Sequence, residues 1–392
     1  MYKIQTLNAI SNIIHSQLSA ENYKISKEET EPDAILVRSA AMHDMTFNKE
    51  LLAIGRAGAG VNNIPIDRCS KEGIVVFNTP GANANAVAEL VVAGLLMSGR
   101  NIAGGIDWAR TLKGQGAEVA KLVEKGKSQF VGPEMRGKTL GVIGLGAIGA
   151  IVANAASRGL GMYVVGYDPF ISVESAWSLS TTIHRAASAD DVIAQADYIT
   201  FHVPLNDQTR GSINAEMIAK MKDGATILNF SRGELADTAA VRDALASGKL
   251  SCYVTDFPSD DMLCVDKVIC IPHLGASTPE SEENCASMAA SEIRDYLENG
   301  SIHNSVNFPE LQLGAPEAVR VLVLHENIPN MLSMITSAAA QEGINIENMI
   351  NKSRKNLAAT VMEMNELPSR EALSYLAQLP GIIRVRIFGA NA

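Results

Sequence analysis

The N-terminal part of the chain alternates short apolar runs with helical stretches. The runs at 34–37 and 73–77 hold four or five mostly apolar residues each, as in strands of a parallel sheet that is buried on both faces. The stretch 86–97, AVAELVVAGLLM, is apolar on nearly every side and predicts a buried helix. The pattern therefore predicts that a complete α/β unit precedes residue 141.

The alternation continues after the strand-like run GVIG at 141–144. Helices fit at 215–221 and at 238–247, where Gly248 ends the second helix. Further strands are predicted at 162–167, 198–201, 225–229, 252–255 and 268–271. Strands and helices that alternate in this way are typical of a doubly wound α/β domain.

The chain changes character after residue 306. The segment NFPELQLGAPEA at 307–318 has two prolines, one glycine and no periodicity, which predicts a linker. Beyond it, helices are predicted at 329–341 and 369–379, and strands at 319–325, 344–351, 358–364 and 382–388. This βαββαβ order is that of a ferredoxin-like unit, and its small size suits a regulatory or structural role.

Composition and charge narrow the classes of function. Hydrophobic residues make up 47% of the chain and charged residues 19%, as in globular proteins with a substantial core. Lys and Arg number 33 against 43 Asp and Glu, so the net charge of −10 argues against nucleic-acid or anionic-membrane partners. The five cysteines show no zinc-binding spacing, and no signal peptide or membrane span is evident. We therefore expect a cytoplasmic protein with reduced thiols and no bound metal.

A glycine-rich turn, GLGAIG, follows the run GVIG and precedes an apolar helical pattern. Gly144 permits the tight turn, Gly146 lets a pyrophosphate approach the backbone, and Gly149 lets the helix pack on the strand. Asp168 ends the next predicted strand, 19 residues after Gly149, where a ribose hydroxyl would be met. Since an acid there repels a 2′-phosphate, the pattern favours NAD over NADP. The alternative is an ordinary strand–helix turn in which Asp168 caps a loop.

Polar groups follow three successive predicted strands: Arg232, an acid at Asp260 or Asp261, and His273. Ligands of open α/β sheets bind at the carboxyl ends of the strands, so we expect these groups to converge. His273 would exchange the hydroxyl proton of a 2-hydroxy acid, and a neighbouring carboxylate would fix its tautomer. Arg232 would hold the substrate carboxylate in a two-point grip. Taken singly, His273 could be a structural hydrogen bonder and Arg232 a surface charge.

Several segments, taken in order, resemble the D-isomer-specific 2-hydroxyacid dehydrogenases. They are GLGAIG, Asp168, HVPLNDQT at 202–209, NFSRG at 229–233 and PHLGAST at 272–278. Further segments are most similar to family members that act on 3-phospho-D-glycerate: LVRSA at 36–40, GRAGAGVNNI at 55–64, FNTPGANANAVAEL at 77–90 and LENGSIHNSVNFPE at 297–310. The resemblance covers nearly the whole chain.

The resemblance implies an α/β fold with two doubly wound, Rossmann-like parallel-sheet domains and a C-terminal ferredoxin-like βαββαβ domain of the ACT type. The substrate domain would be discontinuous, which explains why the glycine-rich turn lies so far into the chain. The implied segments are a substrate-binding domain at 1–98 and 280–311, an NAD-binding domain at 99–279, a linker at 312–317 and the ACT domain at 318–392.

Roles for individual residues follow from the same resemblance. Arg232 would bind the substrate carboxylate, and His273 would act as acid and base. The expected NAD contacts are Gly144, Gly146, Ala147, Ile148, Gly149, Asp168, His202, Val203, Pro204, Thr209, Ser231, Asp256 and Gly275. The expected contacts to the substrate and its phosphate are Arg38, Ser39, Arg56, Gly58, Val61, Asn83 and Lys127, the last lent to a neighbouring subunit. Arg38 could instead be a strand-end charge, and the glycines around Gly58 could only serve a turn.

One segment departs from the pattern of the family. The family presents the partner of the histidine as Glu in a segment like DVFPxE, whereas this chain reads TDFPSD at 255–260. The alignment makes Asp260 the catalytic acid, with a side chain one methylene shorter, and leaves Asp261 as the alternative. In the family, an Asp that lies beside the nicotinamide aligns with Thr255 of this chain. Asp256 is therefore displaced by one position from that role.

The implied reaction is the NAD-dependent oxidation of 3-phospho-D-glycerate to 3-phosphohydroxypyruvate, the first step of phosphorylated L-serine synthesis. The alternatives are a dehydrogenase of another D-2-hydroxy acid and a non-catalytic NAD-sensing protein on the same fold. L-Serine is the implied effector, bound by His325, Asn327 and Asn345 at a subunit interface of a homodimer or homotetramer. Asn327 could instead only cap the following helix, and Asn345 could only occupy a turn. Serine inhibition, the oligomeric state and reduction of 2-oxoglutarate stay open.

Overall fold

The computed structural model describes residues 1–389, which divide into two compact units. One unit combines Met1–Ala82 with the chain from Glu282 onward, and the other is Asn83–Ser281. Each unit contains a parallel β-sheet with buried central strands, and the first unit also contains an antiparallel sheet. The predicted α/β class, with two parallel sheets and a small separate sheet, is thereby confirmed.

The N-terminal part of the first unit carries a five-stranded parallel sheet in the order β2-β1-β3-β4-β5. Its elements are β1 (Tyr2–Leu7), β2 (Tyr23–Ser26), β3 (Ala34–Val37), β4 (Ala53–Arg56), α1 (Ile66–Lys71) and β5 (Val75–Asn78). The central strand β3 is buried along its whole length, as its apolar sequence predicts. The sequence pattern does not reveal β1 and β2, because Lys3, Gln5 and Lys24 interrupt their apolar runs.

The second unit carries a seven-stranded parallel sheet in the order β12-β11-β10-β9-β6-β7-β8. Its elements are α2 (Ala84–Gly99), α3 (Ile102–Thr111), α4 (Val119–Gly126), β6 (Thr139–Ile143), α5 (Ala147–Asn154), β7 (Tyr163–Tyr167), α6 (Val173–Ser178), β8 (Ile183–Arg185), α7 (Ala189–Gln195), β9 (Tyr198–Phe201), α8 (Ala215–Lys220), β10 (Ala225–Asn229), α9 (Thr238–Ser247), β11 (Leu250–Thr255) and β12 (Val268–Cys270). The strand order reverses between β6 and β9, which is where a doubly wound sheet opens a crevice for ligands.

The apolar helix α2 spans the predicted segment 86–97 and packs into the core of the second unit through Val87, Ala88, Val91 and Leu95. The predicted helix at 238–247 is α9, and Gly248 ends it in the left-handed conformation. Over the described part of the chain, no single helix has the length and apolar character needed to cross a membrane. Only the pair α2 and α3, bent by 66°, meets that test by length and composition.

The long helix α10 (Pro279–Asn299) leads into the C-terminal part of the first unit. There the elements are β13 (Val319–Glu326), α11 (Met331–Gln341), β14 (Ile346–Arg354), β15 (Leu357–Met364), α12 (Arg370–Gln378) and β16 (Ile382–Phe388). The antiparallel sheet has the order β14-β15-β13-β16, which is the predicted ferredoxin-like arrangement.

Several ends in this C-terminal part differ from the prediction by one to three residues. α11 begins at Met331 and not at residue 329, because Asn330 before it adopts the left-handed conformation with φ of 69°. The N-cap of α11 is therefore Asn330, and the alternative that Asn327 caps this helix is wrong. β14 continues to Arg354, where a left-handed Lys355 turns the chain into β15.

Helix α10 contributes to one hydrophobic core that includes side chains from both sheets of the first unit. Its buried positions Ala286, Ala289, Ile293 and Tyr296 recur at helical spacing. Leu36 and Phe77 of the parallel sheet and Leu322, Val361 and Phe388 of the antiparallel sheet belong to the same cluster. The C-terminal part is therefore packed against the N-terminal part by a shared apolar core.

Candidate active site

The glycine-rich turn lies at the carboxyl end of β6, beside the carboxyl end of β9. Gly144 has φ of +92°, and a Cβ on it would lie 2.4 Å from the His202 backbone oxygen. A Cβ on Gly149 would lie 2.0 Å from the Gly144 oxygen. Both positions therefore need glycine, because the backbone segments approach too closely for any side chain.

Gly146 shows the opposite property, since a Cβ there would meet no atom within 4 Å. This space opens at the N-terminus of α5, where unpaired N–H groups and the helix dipole attract a pyrophosphate. Asp168 follows β7 and accepts hydrogen bonds from Leu145 N and Phe170 N, each 2.8 Å long. The carboxylate thus fixes the turn and keeps lone pairs for ribose hydroxyls. The turn, the space and the acid together fit a dinucleotide.

His202 is half-buried and lies beside the glycine-rich turn, against Gly149. Its Nε2 is 3.0 Å from Thr200 Oγ1, and its Nδ1 is buried without a hydrogen-bond partner in the described structure. Burial lowers the pKa of His202 to about 4, so the ring is neutral at physiological pH. Val203 packs its side chain beside Gly144. His202 and Val203 therefore pack against the glycines of the turn.

Two hydroxyl groups that were predicted to contact NAD also hold the loops in place. Thr209 Oγ1 donates a hydrogen bond to Pro204 O at 2.6 Å and accepts one from Asn206 N at 2.9 Å. Ser231 Oγ donates to Phe201 O at 2.6 Å, which ties the end of β10 to the end of β9. The loops that border the crevice are thus ordered by their own side chains.

Arg232 lies just beyond β10, at the carboxyl edge of the sheet. Its Nη1 donates to Ser231 O at 2.6 Å, and the side chain is partly exposed. Asn229 is fully buried, and its Nδ2 donates to Arg232 O at 2.9 Å and to the Tyr253 hydroxyl at 3.2 Å. Asn229 therefore holds the backbone that carries Arg232. No motif in the sequence indicated this role, although a buried amide at the end of an apolar strand is the signal that could have revealed it.

His273 follows β12 and is exposed, with its ring centroid 4.6 Å from that of Phe257. Asp256 is only 1% exposed, and its Oδ1 has no hydrogen-bond partner among the described residues. Burial raises the pKa of Asp256, while the charges of His273 and Arg232 and the Gly275 amide act in the opposite direction. A Cβ on Gly275 would lie 3.3 Å from Asp256 Oδ2, so the small residue leaves room for the carboxylate.

The other two candidate acids lie on the surface after β11. Asp260 is exposed and makes no hydrogen bond or ion pair with any described residue. Asp261 accepts hydrogen bonds from Thr238 and Ser259, which lower the pKa of Asp261. The Ser259 hydroxyl is 2.7 Å from Asp261 Oδ1. Of the three acids, Asp256 is the one whose charge interacts with His273.

In the first unit, the expected substrate contacts cluster at the carboxyl ends of β3 and β4. Arg56 Nε donates to Arg38 O at 3.1 Å, so the two side chains start from neighbouring strand ends. Arg56 also lies across Gly58, where φ is +142° and a Cβ would be 1.7 Å from Arg56 Nη1. Asn8 Oδ1 accepts a hydrogen bond from Ser39 N at 3.0 Å and thereby holds this loop. No feature of the sequence pointed to Asn8.

The guanidinium of Arg38 has a partner from a distant part of the sequence. Its Nη1 is 2.7 Å from Glu282 Oε1, and the two side chains are 35% and 43% exposed. Glu282 lies near the start of α10, and the sequence analysis did not single it out. Val61, also expected near the substrate, forms a turn in which its carbonyl accepts a hydrogen bond from Ile64 N at 3.0 Å.

Two further expected substrate contacts belong to the second unit. Asn83 precedes α2, and its carbonyl accepts a hydrogen bond from Val87 N at 3.2 Å. Lys127 is exposed and pairs with Glu124, one turn earlier in the chain. Neither side chain is held towards Arg232 or His273 by a described contact.

Similarity to known proteins identifies the family of this chain. The family profile of the "D-isomer specific 2-hydroxyacid dehydrogenase, NAD binding domain" matches residues 93–275. The chain is 34% identical over 352 residues to the D-3-phosphoglycerate dehydrogenase of Escherichia coli K12, which spans 86% of this chain and 82% of that protein. The chain belongs to the D-isomer-specific 2-hydroxyacid dehydrogenase family.

Two more similarities support the same membership. The D-3-phosphoglycerate dehydrogenase of Methanocaldococcus jannaschii is 37% identical over 301 residues, which cover 73% of this chain and 55% of that protein. The crystal structure of an NAD+-bound 3-phosphoglycerate dehydrogenase from Entamoeba histolytica is 27% identical, with a TM-score of 0.59 over 79% of this chain and 99% of that chain. The resemblance read from the sequence is confirmed, and so is NAD as the cofactor of this dehydrogenase.

The residues expected to bind an effector lie in the C-terminal part of the dehydrogenase. His325 is 2% exposed, and both ring nitrogens lie 2.8 Å from protein oxygen atoms, one of which is Thr360 Oγ1. Burial lowers the pKa of His325. Asn327 Nδ2 donates to Lys355 O at 3.0 Å. The Asn345 side chain is exposed and makes no hydrogen bond with the described residues.

Proposed function

We propose that this dehydrogenase oxidises 3-phospho-D-glycerate to 3-phosphohydroxypyruvate, the entry reaction of phosphorylated serine synthesis, in the cytoplasm. The observation that carries the proposal is the 34% identity to the Escherichia coli D-3-phosphoglycerate dehydrogenase across 82% of that protein. The cluster of Arg38 and Arg56 adds support, because a C3 phosphate needs positive charge beyond the arginine that binds the carboxylate.

Arg232 and His273 carry the chemistry in this proposal. Arg232 binds the substrate carboxylate through two N–H groups and so orients the C2 hydroxyl. His273 takes the hydroxyl proton, since a neutral imidazole is a suitable base near neutral pH. NAD, when bound at the glycine-rich turn, would supply the acceptor for the hydride that leaves C2. Loss of one proton to His273 and of one hydride to that acceptor would leave a ketone.

Asp256 is the acid that assists His273 in the proposed mechanism. Its buried carboxylate favours the protonated imidazole that forms during oxidation, because an anion in a site of low polarity stabilises a nearby cation. A stable charge on Asp256 depends on His273 and Arg232, which offset the cost of its burial. Asp260, which the alignment favours, stays the competing assignment.

The substrate phosphate is assigned to the first unit. Arg38 and Arg56 supply charge, and Ser39 supplies a hydroxyl group from the same loop. Gly58 has no side chain of its own, which leaves room for the Arg56 guanidinium that lies across it. Asn83 and, from a neighbouring subunit, Lys127 complete the set of predicted contacts.

The C-terminal part is assigned as an ACT-type domain that binds L-serine in a homodimer or homotetramer. Its βαββαβ order and the exposed Asn345 carboxamide support the assignment. α3 and α4 bury none of their residues and leave Ile106 48% exposed, which suits a contact with a second subunit. A monomer in light scattering at micromolar concentration would contradict the assembly.

The test of the function is an NADH-oxidation assay with purified protein and 3-phosphohydroxypyruvate, run with and without L-serine. The reductive direction is chosen because oxidation of an alcohol by NAD is unfavourable near neutral pH. We expect turnover that is much faster than with hydroxypyruvate or 2-oxoglutarate at equal concentration. Preference for an unphosphorylated keto acid would replace the substrate assignment, and no turnover with any keto acid would leave only an NAD-binding role. Turnover that L-serine does not alter would contradict the effector assignment alone.

A further inference from the structure

We infer that Glu282 sets the specificity of the phosphate site by occupying Arg38 until a substrate phosphate displaces it. The inference rests on the proposed function of Arg38 as a phosphate contact. Glu282 would then act as a built-in competitor, so that only a ligand with a strong anion in the right place gains access to the arginine.

The geometry of the pair carries this inference. Arg38 Nη1 lies 2.7 Å from Glu282 Oε1, which is the length of a charge-assisted hydrogen bond. The Arg38 side chain is 35% exposed and that of Glu282 is 43% exposed, so water and ligands can reach the pair. Arg56 Nε donates to the Arg38 backbone oxygen, which places the second guanidinium on the adjacent strand end. The pair therefore lies beside the other positive charge that the phosphate needs.

The chemistry of the competitor favours replacement by phosphate. A carboxylate carries one negative charge, whereas a phosphate monoester carries nearly two near neutral pH and offers three acceptor oxygens. An exposed ion pair is weak in water, so a dianion can displace it without losing most of its binding energy. A weaker or misplaced anion gains too little to do so. Glu282 thus raises the affinity for Arg38 that an anion must have in order to bind there.

The decisive variant is Glu282→Gln, and Glu283→Gln is the matched control. Glu283 is the next residue of α10, is exposed, and makes no ion pair with any described residue, so its substitution makes the same change in net charge. We expect Glu282→Gln to lower the KM for 3-phosphohydroxypyruvate about two- to fivefold, which corresponds to the energy of an exposed pair. The inhibition constant of inorganic phosphate should fall by a similar factor. The kcat/KM for hydroxypyruvate, which has no phosphate, should not change.

A double-mutant cycle with Arg38→Ala separates this inference from the proposed function. Arg38→Ala should raise the KM for the phosphorylated substrate, and Glu282→Gln should then have no further effect, because the pair no longer exists. A KM that rises or stays the same in Glu282→Gln, while Arg38→Ala raises it, would overturn the inference alone and make Glu282 a support for Arg38. No effect of Arg38→Ala would overturn both the inference and the phosphate assignment. If Glu283→Gln lowers the KM by the same factor, the change in net charge alone explains the effect, and the inference is overturned.

Discussion

At the scale of single residues, the question is which acid, Asp256 or Asp260, assists His273. The family segment DVFPxE would place an acid four residues beyond the one that is buried here. In this chain Asp260 is exposed, whereas Asp256 is buried and interacts with the charges of His273 and Arg232. A buried, incompletely hydrogen-bonded carboxylate is costly, and such groups persist mainly where a function needs them.

Asp256→Asn should therefore reduce kcat/KM for 3-phosphohydroxypyruvate by at least about tenfold, a modest share of what acid–base catalysis contributes. Asn keeps an oxygen to accept the Gly275 amide hydrogen bond but removes the charge. The measurement is kcat/KM for Asp256→Asn and for Asp260→Asn. If Asp260→Asn gives the larger loss, the alignment is right and the role of Asp256 is structural.

At the scale of elements, α10 combines an apolar buried face with one buried acid. Glu292 is 4% exposed, its Oε1 accepts a hydrogen bond from Asn304 Nδ2 at 2.7 Å, and its Oε2 has no described partner. Burial raises the pKa of Glu292 to about 8, and the nearby Asp295 adds to this, although the Asn304 hydrogen bond opposes it. The helix thus carries a carboxyl group that is largely protonated at neutral pH.

This shift makes stability depend on pH in a definite direction. Above its ordinary pKa the unfolded chain releases the Glu292 proton, while the folded chain keeps it up to pH of about 8. The native state therefore binds more protons, and the free energy of unfolding falls as pH rises through this interval. Glu292→Gln keeps the acceptor for Asn304 and removes the titration. The free energy of unfolding of Glu292→Gln should exceed that of the wild type by more at pH 9 than at pH 6. The difference between the two pH values should be about 2 kcal/mol.

Urea unfolding at the two pH values measures this difference, and Glu283→Gln, on the exposed side of the same helix, is the control for net charge. An advantage of Glu292→Gln that is the same at both pH values would mean that Glu292 does not change protonation between them.

At the scale of the whole molecule, arginines of β16 attach the C-terminal part to the rest of the first unit. Arg384 donates to Leu51 O at 2.9 Å and to Glu72 O at 2.8 Å, the latter at the end of α1. Arg386 donates to Tyr296 O at 2.8 Å in the last turn of α10. Arg384 thus bonds carbonyls that lie outside the strands and helices, and Arg386 adds a bond to a carbonyl of the last turn of α10, where a cation complements the negative end of the helix dipole. The left-handed Gly73 allows this approach, since a Cβ there would lie 2.9 Å from the Arg384 Cβ.

Arg384→Ala should lower the free energy of unfolding by about 1–3 kcal/mol, because charge-assisted hydrogen bonds to partly buried carbonyls are lost. It should also speed proteolytic cleavage in the linker at 312–317, whose backbone must leave its hydrogen bonds to Ser301 and Arg320 before a protease can bind it. Limited proteolysis followed by gel electrophoresis measures the second effect. Arg370→Ala, at an exposed position of α12 without a described partner, is the matched control. Equal cleavage rates in the two variants would show that Arg384 does not hold the C-terminal part in place.

The features that could be predicted from the sequence are those that depend on neighbouring residues. Consecutive apolar residues revealed most strands of the second unit, and the spacing of Gly144, Gly149 and Asp168 revealed the NAD-binding turn. These features are local, because a tight turn needs glycine and a strand buried on both faces needs an unbroken apolar run. The order of elements after residue 318 likewise predicted the ferredoxin-like unit. Strands β1 and β2 escaped this reasoning because their alternating polar residues carry no such signal.

The tertiary structure alone decided which charged groups meet. The pair of Arg38 and Glu282, the burial of Glu292 in α10, and the position of Asp256 beside His273 each join residues from separate elements. Asn8 and Asn229 hold the loops of the candidate site for the same reason, through contacts to backbone atoms that only folding brings near. The electrostatic energy of a side chain depends on its burial and on the charges within a few ångströms, and neither follows from its position along the chain.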